Sequence, residues 1–84
     1  MEKVFLLIER YFYVRNNTLV QTGDNFTVFK DWVDASDARD EMRALEKRIF
    51  EGTQEEYDAV LNKFIITKPN GSKIELQLVN CSVR

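Results

Sequence analysis

The chain has 84 residues, 44% of them hydrophobic and 31% charged, which is too apolar for a disordered segment, and no apolar run approaches the 18 or so residues of a membrane span. A formal net charge of −2 argues against general affinity for a phosphate backbone, and the absence of histidine excludes Ser-His and Cys-His nucleophiles. A chain this short buries only about 60 to 65% of its unfolded surface, so its core is modest, and its single cysteine, Cys81, excludes an internal disulfide.

The first element is extended, from about Lys3 to Arg15, rich in aromatic and β-branched residues and ended by Asn16 and Asn17, which tolerate a tight turn. Its two parities are both sticky. One carries Val4, Leu6, Ile8, Arg10, Phe12 and Val14, and the other Phe5, Leu7, Glu9, Tyr11, Tyr13 and Arg15. The reading adopted places Val4, Leu6, Ile8 and Phe12 in the core. Phe5, Leu7, Tyr11, Tyr13 and Arg15 then form an open, partner-binding sheet face, since tyrosine and arginine suit interfaces. The run from Val4 to Ile8 is interrupted by Glu9 and Arg10, too short and too charged for a secretory signal, which points to the cytoplasm.

Two short strands, 18–22 and 26–30, are expected next, separated by Gly23-Asp24-Asn25. Asp34 then reads as the N-cap of a helix with Ala38, Met42, Leu45 and Ile49 on its apolar face and Gly52 at its end. Thr53 to Glu56 has the form of a capping box, and Tyr57, Val60, Leu61 and Phe64 follow at helical spacing, so a second helix is expected. Asn70-Gly71 between Ile65-Ile66 and the alternating Ile74, Leu76 and Leu78 signals a two-residue hairpin turn flanked by Pro69. The expectation is a single α+β domain over residues 1–84: a β-hairpin or meander, two helices, and a C-terminal β-hairpin, with the helices on one face of a small antiparallel sheet.

Charge is unevenly spread. Residues 24–58 hold eleven acids and five bases, a net −6, and the remainder seven bases and three acids, a net +4. Asp34, Asp37, Asp40 and Glu41 crowd the start of the helix, where negative charge is favoured by about 0.3 to 1 kcal/mol each. They form a second candidate partner-binding patch. Asp37 and Glu41, at i and i+4, could also hold Mg²⁺, although almost any acidic helix qualifies.

These residues point to a small non-catalytic intracellular binding protein of the inhibitor or adaptor type, including those carried by phages and other mobile elements. It would mask or bridge a surface of a larger macromolecule, with a homodimer built through the sheet as one form. Neither cofactor nor metal is implied. The partner is another protein, with no membrane association. The alternative is single-stranded nucleic acid held by Arg10, Tyr11, Tyr13 and Arg15, and a Mg²⁺-dependent carboxylate enzyme stands third.

Overall fold

The computed structural model describes residues 2–83. Strands β1 (Glu2–Arg15) and β2 (Thr18–Phe29) precede a helix, α1 (Trp32–Ile49), and strands β3 (Gln54–Asp58), β4 (Lys63–Thr67) and β5 (Lys73–Val83) follow it. All five strands join one antiparallel sheet in the order β2-β1-β5-β4-β3, and α1 lies across one face. The α+β class with helix packing on an antiparallel sheet therefore holds, but with one helix.

The β1–β2 hairpin turns at Asn16 and Asn17, both in the left-handed region at φ 52° and 63°, which two-residue hairpins require and asparagine accepts. The two short strands expected over 18–30 are one. Gly23-Asp24-Asn25 stays paired opposite Tyr11, Arg10 and Glu9, and the break is a bulge at Thr22, between the pairs Tyr11–Gly23 and Phe12–Gln21. Thr22 donates from its hydroxyl to the Tyr11 carbonyl at 3.2 Å. A bulge keeps both flanks in the ladder, whereas a turn would forfeit it.

Helix α1 starts earlier than its sequence suggests. Its N-cap is Asp31, with extended backbone and no side-chain cap bond, so Asp34 belongs to the first turn. The Phe50 amide bonds back to the Glu46 carbonyl to close the helix, and Gly52, at φ +83°, turns the chain into β3. The expected second helix is absent among the described residues. Its segment forms β3, a turn and β4. Asp58 Oδ1 accepts from the amides of Val60 and Leu61, at 3.0 and 3.2 Å, and Asn62 takes φ 51°, so the would-be mid-helix is a side-chain-stabilised turn. Tyr57 and Phe64, seven apart, meet as cross-strand partners with ring centroids 4.7 Å apart. Helical spacing and a tight hairpin both bring these two residues together, and pairing of β4 with β5 decides for the hairpin.

The β4–β5 connection is longer than two residues. Lys68 donates to the Ser72 carbonyl at 2.8 Å, and Gly71 to the Lys68 carbonyl at 2.9 Å, closing a loop that contains Pro69. Gly71 sits at φ +91°, and a Cβ there would stand 2.9 Å from Val14 Cγ2. Gly71→Ala should therefore cost about 1 to 2 kcal/mol, whereas Gly23→Ala, with open space and no positive φ, should be neutral or slightly stabilising. Paired thermal melts check this.

The core has two clusters between sheet and helix. Leu7, Ala35 and Leu78 form one, flanked by Phe5, Phe29, Ala38 and Met42, and Ile66, Ile74 and Leu76 form the other, flanked by Tyr11 and Met42. Fully buried Ala35 lets the helix approach β1 and β5 closely. Met42 spans both clusters, while Leu45 and Ile49, expected in the core, stay exposed at 43% and 58%.

Candidate functional site: the uncovered face of the sheet

Because strand side chains alternate, the packing of Leu7 against Ala35 fixes the orientation of all of β1. The parity of Phe5, Leu7 and Tyr11 faces the helix. The reading that opened this parity to a partner is corrected: Leu7 is 1% exposed, Phe5 packs edge-to-face on Trp32 at 5.5 Å, and Tyr11 packs on the Ile66 cluster. Tyr13 is half-buried and pairs with Val20, and Arg15 is exposed beside the Asn16-Asn17 turn. The bulge lies in β2, so β1 itself suffers no slip that could bring its two parities to one side. Arg10 thus points away from the parity of Tyr11, Tyr13 and Arg15, so these four residues do not form one surface.

Glu9 explains much of the ambiguity. It shares the helix-facing parity yet is 6% exposed. Tyr11 donates its hydroxyl to Glu9 Oε1 at 2.5 Å, and Asn25, directly opposite on β2, donates its amide to Oε2 at 3.1 Å. Burial, followed by this hydrogen bond and the charges of Glu9 and Glu46, pushes the Tyr11 phenol far above its ordinary range, so it remains a proton donor. A carboxylate that reads as solvent-facing is a satisfied internal group, and Asn25 is its unforeseen partner.

The other parity is open. Its rows follow from the pairing: Val28, Leu6 and Val79 lie side by side, then Phe26, Ile8 and Gln77, then Asp24, Arg10 and Glu75, while Val4 sits beside Cys81. Ile8 is buried, as expected of a core residue, but among neighbours on this face rather than under the helix. Val28 and Phe26 are 63% and 53% exposed. Towards β4 the surface becomes polar: Lys63 Nζ contacts Glu75 Oε1 at 3.0 Å and Gln77 donates to the Leu61 carbonyl at 2.8 Å. None of the described elements packs on this face.

The helix side is closed at the opposite edge by charge. The Arg43 guanidinium lies 3.6 Å from the Phe64 ring centre, donates to Glu55, and reaches Asp40 at 2.9 Å. Lys47 Nζ stands 2.9 Å from Glu55 Oε2 but outside hydrogen-bond geometry, leaving a salt contact only. Burial pushes the carboxyls of Asp40 and Glu55 up. Hydrogen bonds from Arg43 to both, with one from Arg39 at Asp40 and the nearby positive charge of Lys47 at Glu55, outweigh it and hold both below the ordinary range. Hydrogen bonding to Glu55 raises Arg43 against the opposing effect of burial.

Of the acidic helix start, Asp34, Asp37 and Glu41 are exposed and, at i, i+3 and i+7, share an outward face. Asp40 turns aside to Arg39 and Arg43. Among the described residues, no three His, Cys, Asp or Glu side chains are grouped to hold a metal ion, and no helix is long and apolar enough to cross a membrane. The chain matches no protein-family model, no curated protein and no solved structure.

Proposed function

We propose that the protein is a non-catalytic binding protein that masks or bridges a surface of a larger protein partner through the open face of its sheet. Leu6, Phe26, Val28 and Val79 are the contact residues. The observation that carries this reading is the contiguous apolar strip on which Phe26 and Val28 stand more than half exposed, with the helix on the other side. Soluble chains restrict such patches unless they are used, and aromatic anchors ringed by polar groups carry most interface energy. Arg10, Glu75 and Lys63 supply the polar rim, and the lack of histidine fits a role without proton-transfer chemistry.

The test is affinity capture from the native host with the wild type and the Phe26→Glu/Val28→Glu variant side by side. Both positions are exposed, so the variant should keep its circular dichroism spectrum. Its recovery of a stoichiometric partner should fall about tenfold or more. Equal recovery by a folded variant would move the contact away from this face.

A further inference from the structure

The two edges of the sheet are built differently. At one, β3 is five residues long and carries Glu55, Glu56 and Asp58, a short charged edge that resists pairing with other strands. At the other, β2 is 12 residues long, and beyond its bulge the stretch Gly23 to Phe29 carries a single charge, Asp24. Its only strand neighbour is β1, so its outer amides and carbonyls have no strand partner among the described residues. A long, nearly uncharged edge is a template for another strand.

The side chains along that edge say which strand. Asp24, Phe26 and Val28 alternate on the open face, and exposed Lys30 follows in the same parity just past the strand end. Neither Asp24 nor Lys30 has an ion-pair partner among the described residues, although Arg10 lies across from Asp24. Run antiparallel against itself about Thr27, this row is its own complement. Each Asp24 meets Lys30 of the second copy, and each Phe26 meets Val28. A centre at Phe26 or Val28 would set like against like and leave neither Asp24 nor Lys30 opposite a charge of the other sign. A centre between residues would place opposed side chains on different faces.

We propose that β2 pairs antiparallel with β2 of a second copy about a two-fold axis at Thr27, joining two five-stranded sheets into one. The pairing uses the edge of the sheet and not its open face, so it goes beyond the masking function and does not depend on it. It sets the two apolar strips side by side, doubling the surface offered to a partner. Cross-strand ion pairs fix the register, because the alternatives leave Asp24 and Lys30 without a charged partner.

Light scattering from micromolar to millimolar concentration, under reducing conditions, tests the pairing. The wild type should approach twice 9.9 kDa. Lys30→Asp sets Asp24 against an aspartate at both ends and should weaken the dimer about tenfold or more, and Asp24→Lys/Lys30→Asp should restore it to within about threefold. Circular dichroism confirms that each variant is folded. A wild type that stays monomeric throughout overturns the proposal, as does a dimer indifferent to Lys30→Asp or not rescued by the double exchange. A dimer lost on Val79→Lys but insensitive to both exchanges would mean that the copies pack through their faces, which also overturns it.

Discussion

Leu7→Ala should destabilise the protein by about 3 to 5 kcal/mol, and Leu76→Ala by a similar amount, because each empties the centre of one of the two core clusters. Both side chains are essentially inaccessible, and Leu7 is packed between Leu78 across the strand pair and Ala35 on the helix, too short a residue to fill the gap. A domain of this size has a total stability not much larger than that loss, so either variant should lie near its unfolding midpoint at room temperature. Leu6→Ala, one residue along on the half-buried open face, should cost less than half as much. Denaturant titration of the three variants separates the two faces of β1. A Leu6 variant as damaged as the Leu7 variant would mean that the open face is covered.

The second large effect is electrostatic. Arg43→Met keeps an aliphatic stem over Phe64 but leaves Glu55, 14% exposed, with Lys47 alone, and frees Asp40 from its best-placed partner. A loss of about 1 to 3 kcal/mol at neutral pH is expected, less than for a fully buried pair because Arg43 retains some solvent contact. The pH dependence identifies the cause. Glu55 and Asp40 hold their protons less tightly folded than unfolded, so their stabilisation is fully present above the ordinary carboxyl values of 4.5 and 3.8. It is lost as pH falls through their lowered folded values, since the unfolded chain takes up the protons first. Wild type and Arg43→Met should therefore differ most near neutrality and converge in acid. Melting temperatures that remain parallel down to pH 3 would assign the loss to packing.

Local chemistry made several elements legible without any tertiary information. Asn16-Asn17 specified a hairpin because few other residues accept two consecutive positive φ values. The alternation of Ile74, Leu76 and Leu78 specified a strand and its inner face, and all three are buried. The periodic stretch ending near Gly52 specified a helix, off by about one turn at its start because Asp31 and Asp34 are equally good caps by residue type. The coarse α+β class, with a helix on an antiparallel sheet, follows from those three.

What failed did so where two structures satisfy one pattern. Tyr57 and Phe64 meet on a helix face or across a hairpin, and only the availability of β5 as a neighbour for β4 selects the hairpin. Both parities of β1 hold apolar residues and at least one charge. The inner face was chosen by contacts distant in sequence: Ala35 admitting the helix over Leu7, and Asn25 and Tyr11 satisfying Glu9 so that a carboxylate could be buried. Sequence by itself determined that this small chain has a strand sticky on both faces, more apolar surface than helices on one side of a sheet can cover. Only the tertiary structure decided which side remained open, because period-two alternation fixes which residues share a face but leaves to long-range packing which of the two faces is inside.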